Sequence, residues 1–217
     1  MSPTEALRAK HAADWQAITC HPFTEALARG DLPLDAMRWY LVQDYRFIED
    51  FVRLLAQAIA HAPSLADAVP GAQFLAVITG PENTYFQRSF DALGVVEAGR
   101  DQPEAAPTTA FRALMRDAAA SGSHARMLAV LVVAEWSYLD WASRVAPGSA
   151  DLPFYFADWI TLHSGPGFEA VVDYLRGQLD AAWPGLAPAE QAAVAQAFAR
   201  AVALERQFFD AAWARAT

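Results

Sequence analysis

Between its proline and glycine breaks, this sequence repeats apolar residues every three to four positions almost throughout. That period belongs to helices with one face in a core. β-Branched runs are scarce and no repeat of fixed length occurs, so the pattern predicts an all-α protein. No Ser/Gly/Pro-rich linker divides the chain, and residues 1–217 are expected to form one domain. A first helix is expected over 3–19 and a short one over 23–29, ending at Gly30. A long helix over 35–62 follows the start signal Asp31-Leu32-Pro33. A short piece over 64–69 leads to a break at Pro70-Gly71. The next helix, 72–94, should kink or split at Gly80-Pro81. A polar loop spans 97–106, and helices are expected over 107–120, 123–146, 152–163, 167–182 and 187–215.

Composition narrows the function. With 16 basic against 25 acidic residues the net charge is −9, which argues against nucleic acid or an anionic membrane as the main partner. The longest aliphatic run, Met127–Ala134, is far too short to span a bilayer. The N-terminal residues are amphipathic and polar-rich and do not read as a secretory signal, so a cytoplasmic location is expected. The lone cysteine, Cys20, allows no intrachain disulfide and reads as a small buried structural residue. Glu-x-x-His, His-Glu-x-x-His, the Walker loop and G-x-G-x-x-G are all missing, so neither a metal nor a phosphate site is indicated.

Three acids stand out because they interrupt apolar helix faces. Tyr40, Asp44, Phe47 and Phe51 fall on one helical stripe. A carboxylate inside such a stripe is costly unless paired. Asp44 is therefore either a core acid bonded to a neighbouring helix or a carboxylate aimed into a ring-lined pocket. Glu135 interrupts the almost wholly apolar segment from Met127 to Trp141, with Tyr138 one turn on. It reads either as an edge acid or as a pocket group, and Tyr138 either as a core ring with a bonded hydroxyl or as a ligand contact. Glu205 shares a face with Val202, Phe208 and Phe209. It is either paired, with Arg206 beside it, or an acid of raised pKa suited to proton transfer near neutrality. His163, at a helix end, reads as a capping cation or as part of the same site.

Several ordered segments resemble one known family. His21-Pro22-Phe23, Gly30-x-Leu32-Pro33, Tyr40 with Gln43-Asp44-Tyr45, Trp136-x-Tyr138, Trp159-Ile160 before His163, and Glu205-x-x-Phe208-Phe209-Asp210 together resemble the TenA/thiaminase II family. The resemblance implies an all-α, haem-oxygenase-like bundle without haem or other cofactor. It also implies hydrolysis of the bond between a pyrimidine 5-methylene and a nitrogen leaving group in thiamine salvage, and assembly as a homotetramer or homodimer. The surplus of rings, seven Trp and 13 Phe, points the same way on assembly. By the resemblance, Asp44 bonds the polar edge of the aminopyrimidine, Glu205 is the acid/base and Tyr138 contacts the ring. The chain departs from the family where the usual nucleophilic Cys stands, at Ala134. It departs again at Phe47, Phe111 and His163, where tyrosines are common. It looks like the Cys-less TenA_E branch, in which glutamates replace the thiol, with Glu135 as the nearest replacement. The expected site is thus Glu205, Asp44 and Glu135 as catalytic groups and Tyr138, Phe47, Phe111 and His163 as substrate contacts.

Overall fold

A computed structural model describes residues 1–216, apart from the side chain of Ala98. Among the described residues the regular structure is helical throughout. The elements are α1 (Pro3–Lys10), α2 (Ala12–Thr19), α3 (Pro22–Arg29), α4 (Leu34–Ala60), α5 (Leu65–Val77), a π-turn (Ile78–Glu82), α6 (Asn83–Leu93), α7 (Glu97–Arg100), α8 (Ala106–Ala120), α9 (His124–Val145), α10 (Phe154–Leu162), α11 (Gly165–Ala182) and α12 (Pro188–Trp213).

Helix α9 is the axis of the bundle. It is buried on every side between Met127 and Tyr138, as its lack of a polar face requires. Helices α2, α4, α8, α11 and α12 pack around it. The core is dense in rings, with Trp141, Trp159, Tyr40, Phe23 and Phe86 among the largest fully buried side chains. Each such burial removes enough apolar surface to stabilise the fold by about 1.5–3 kcal/mol. No described helix is long and apolar enough to cross a membrane. Met1, Leu65 and Val96 are the most exposed of the large apolar residues, with no aromatic ring among them, while Trp39, Trp183 and Trp213 are partly buried.

Helix ends follow local chemistry. Ser2 and Glu5 form a capping box at α1, and Gly30 ends α3 in the left-handed region at φ 75°, where a side chain would be strained. Three expectations need correction. The first helix is broken at His11 into α1 and α2. Pro70-Gly71 does not break the chain, because α5 runs through it. Gly71 lets α5 approach its neighbours closely: a Cβ there would lie 2.9 Å from Ile59 Cγ1 and 3.0 Å from the Tyr174 hydroxyl. That hydroxyl donates to the Asp67 carbonyl, so the tertiary contact supports the helix that proline weakens. The 97–106 loop contains the short α7, and it is tied down by α4. Arg46 donates to the carbonyls of Arg100 and Gln102, while the Gln43 carbonyl oxygen accepts from Ala105 N and Thr108 Oγ1. Cys20 is exposed rather than buried.

The break at Gly80-Pro81 appears as a π-turn. Proline has no N–H to give the carbonyl four residues back. The chain accommodates this by widening one turn to i→i+5 spacing, a rare geometry that recurs at functional sites. The widened turn ends on Glu82, and that residue points the way into the site.

Candidate active site

A cavity with about 530 Å³ of atom-free space opens between α4, the π-turn, α8, α9, α10 and α12. Along α4, Asp44, Phe47, Ile48 and Phe51 line it as a single stripe, the i, i+3, i+4, i+7 spacing of one helix face. Glu82 enters from the π-turn, Phe111 and Met115 from α8, Ala134, Glu135 and Tyr138 from α9, Trp159 from α10, and Glu205 and Phe208 from α12. His163, just beyond α10, completes the wall. The structure thus brings together all seven side chains expected from the sequence and adds others that were not expected to line the site, Glu82 and Trp159 among them. The Gly80-Pro81 break was legible as a kink, but which residue it would turn inward was not.

Flat rings form the walls. Phe47 stands edge-on to Phe208 at 4.9 Å between centroids and to Phe111 at 5.5 Å. Tyr138 lies 4.9 Å from His163, and Trp159 packs edge-on to His163 at 4.3 Å. This spacing suits ring–ring attraction.

Four carboxyl groups, Asp44, Glu82, Glu135 and Glu205, share this cavity, and no Lys or Arg lines it. Among the described residues none of the four has a hydrogen-bond or ion-pair partner in the protein. Arg206, beside Glu205, turns away to Asp14 at 2.7 Å. Glu135 is buried, not an edge acid. Burial disfavours the charged form of each group and pushes every pKa upward. Asp44 keeps some accessible surface on the cavity side, and its desolvation sets a pKa of about 8. The three glutamates are raised well above the ordinary range, first by desolvation and then by repulsion from neighbouring acids, Asp44 in each case. Burial therefore keeps these carboxyls largely protonated near neutral pH in the empty cavity, and the charge of any one that ionises opposes ionisation of its neighbours.

Two further groups have defined hydrogen-bond polarity. The Nδ1 of His163 lies 2.9 Å from the Trp159 carbonyl. A carbonyl only accepts, so the proton sits on Nδ1 and Nε2 keeps a lone pair. Desolvation depresses the His163 pKa to about 4, so the ring is neutral and not the capping cation its position suggests. The Tyr138 hydroxyl lies 2.6 Å from that of Tyr40. Ala134 lines the cavity and brings no nucleophile. Among the described residues no cluster of three or more His, Cys, Asp or Glu is arranged to hold a metal ion.

Comparison with known proteins bears on this geometry. The sequence model of the TENA/THI-4/PQQC family matches residues 8–215. An aminopyrimidine aminohydrolase of Halalkalibacterium halodurans is 28% identical over 98% of this chain and 96% of its own length. One from Bacillus subtilis is 24% identical over 80% of this chain and 73% of its own. A TenA homologue from Pyrococcus furiosus superposes with a TM-score of 0.87 at 20% identity, covering 97% of this chain and 99% of that one. At that identity the superposition speaks for the fold, which is all-α as the periodicity predicts.

Proposed function

This chain belongs to the TENA/THI-4/PQQC family, and on that premise we propose that it is an aminopyrimidine aminohydrolase of thiamine salvage. It cleaves the C–N bond at the 5-methylene of an aminopyrimidine without a cysteine nucleophile. The observation that carries the reading is the set of four unpaired carboxyl groups in one ring-walled cavity that contains no cation. Such a site favours a flat guest that brings positive charge, and it disfavours phosphorylated ones. A pyrimidine carrying an aminomethyl group, protonated in water, fits both demands.

The chemistry needs two opposite proton transfers. The C–N bond breaks with its electron pair going to nitrogen, which departs as ammonia. The oxygen of a water molecule bonds to the methylene, and the water gives up a proton. Neutral Glu205 is assigned as the acid, donating to a ring nitrogen, while the leaving nitrogen departs with the protons it brought. Asp44, whose pKa of about 8 falls when a cationic guest is bound beside it, is assigned to hold the 4-amino edge. A bound cationic guest favours the charged form of carboxyls beside it, and Glu135, with Glu82 beside it in the electrostatic network, is assigned to ionise on binding and to receive the water's proton. Groups with separated pKa values are what such divided labour requires. Phe47, Phe111, Tyr138 and His163 are assigned as substrate contacts. The whole chain is read as one such domain of the Cys-less branch, cytoplasmic and assembled as a homodimer or homotetramer.

The test uses 4-amino-5-aminomethyl-2-methylpyrimidine as substrate and released ammonia as readout. Glu205→Gln should lower turnover by about 100-fold or more, the range of lost acid–base catalysis, while the hydroxymethyl product still binds. Unchanged turnover refutes the assignment of Glu205. Ala134 in the cavity favours a second reading, a pyrimidine-binding protein without catalysis. Product binding with no ammonia released by the unaltered protein would establish that reading instead.

A further inference from the structure

We propose that Tyr40 is a positioning residue: held by Trp159, it forces the hydroxyl proton of Tyr138 into the cavity, so that the ligand must offer a lone pair at that point. The inference rests on the reading above for its choice of ligand, but its argument is a count of protons.

Tyr40 is fully buried and outside the cavity lining. Its hydroxyl oxygen has two partners. The indole N–H of Trp159 donates to it at 3.2 Å, and an indole can only donate. The hydroxyl of Tyr138 lies 2.6 Å away on the other side. The Tyr40 proton therefore has one acceptor within reach, the oxygen of Tyr138. Were the bond reversed, with Tyr138 donating, the Tyr40 proton would be buried without an acceptor, a costly arrangement. The direction is thus set as Trp159 to Tyr40 to Tyr138. Tyr138 accepts from behind, and its own proton is left for the cavity it lines.

The three residues come from α10, α4 and α9. Their packing is independently tight: Tyr40 stands edge-on to Trp159 at 6.1 Å, and Tyr138 is edge-on to Trp159 at 6.2 Å. Neither ring is free to turn its hydroxyl elsewhere. Tyr138 is therefore a committed donor. A ring nitrogen with a lone pair is accepted there, whereas a ring C–H or N–H at the same point leaves the hydroxyl unpaired.

The experiment measures dissociation constants for three guests: 4-amino-5-hydroxymethyl-2-methylpyrimidine and its two analogues in which one ring nitrogen or the other is replaced by C–H. In the unaltered protein, replacing the nitrogen that meets Tyr138 should weaken binding by ~100-fold, the scale of one orphaned donor. Tyr138→Phe should reduce that ratio to near one. Tyr40→Phe should bring it to about tenfold, because Tyr138 then loses both the donor that polarises its proton towards the cavity and the proton that blocks its other rotamer. Adding Tyr40→Phe to Tyr138→Phe should change it no further. A merely structural role for Tyr40 would weaken all guests together and leave the ratio intact. Trp159→Phe, which removes the N–H behind Tyr40 together with part of the cavity wall, is a second variant should Tyr40→Phe fail to fold; losing that wall weakens all guests alike, while losing the N–H should shift the ratio in the same direction. An unchanged ratio in a folded Tyr40→Phe or Trp159→Phe protein overturns the proposal. Failure of the unaltered protein to bind any of these guests would overturn the functional reading first and, with it, the ligand class inferred here.

Discussion

Two aspartates on helix α4 should respond to the same substitution with opposite signs. Asp50 is buried, and its carboxylate accepts from Arg112 Nε at 2.6 Å and Arg116 Nη1 at 2.8 Å. Asp44, six residues earlier, has no protein partner, and burial raises its pKa from 3.8 to about 8. At pH 7 the unfolded chain releases the Asp44 proton while the folded one keeps it. The raised value means that the folded state binds more protons, so stability falls as pH rises from about 4 to about 8. At about 1.4 kcal/mol per pH unit the deficit at pH 7 is at most about 4 kcal/mol. Water reaching the cavity side of Asp44 screens part of it. Asp44→Asn, which carries no titratable proton, should therefore stabilise the protein by about 2–4 kcal/mol at pH 7, or roughly 5–15 °C in Tm for a chain of this size. Urea denaturation of both proteins at intervals from pH 4 to pH 8.5 is the assay. The gain should be near zero at pH 4, grow steadily, and level off above pH 8. The same variant should be inactive. A gain that does not vary with pH, or a loss at pH 7, would refute the claim that Asp44 is an unpaired, desolvated acid. Acids of this kind trade stability for function.

Asp50→Asn should do the reverse and destabilise by about 3 kcal/mol, since it strips a buried partner from two guanidinium groups; the same denaturation series checks it. Neutral His163, with its pKa depressed to about 4, contributes stability present above pH 6.5 and lost as pH falls towards 4, up to about 3 kcal/mol. His163→Gln should flatten that acid limb, and an unchanged acid limb would count against a buried neutral imidazole. Gly71→Ala should cost about 1–3 kcal/mol, because the added methyl would crowd Ile59 and the Tyr174 hydroxyl; a thermal melt measures it. Ala134→Leu should fill the cavity floor and abolish binding of the hydroxymethyl pyrimidine with little change in Tm, read by calorimetry.

Much of this protein was legible from residue order alone. The 3.6-residue period depends on local side-chain pattern, and it located α4, α8, α9, α11 and α12 to within a few residues. The interruptions Asp44, Glu135 and Glu205 were visible because a carboxyl on an apolar face contradicts its surroundings whatever the fold. Glu82 was not visible in this way. It follows a Gly-Pro pair in a weakly patterned stretch, and only the widened turn aims it inward. Nor could the pattern name the partners of Asp50. Arg46 and Arg53 stand one turn from it in the sequence, but the hydrogen bonds that satisfy its carboxylate come from Arg112 and Arg116, more than sixty positions away on α8. Pro70-Gly71 was misread for the same reason: α4 and α11 hold α5 together across a break that its own residues would favour. A sequence determines which side chains are out of keeping with their helix. Whether such a side chain is neutralised or left free for chemistry depends on distant partners, and those only the packed bundle supplies.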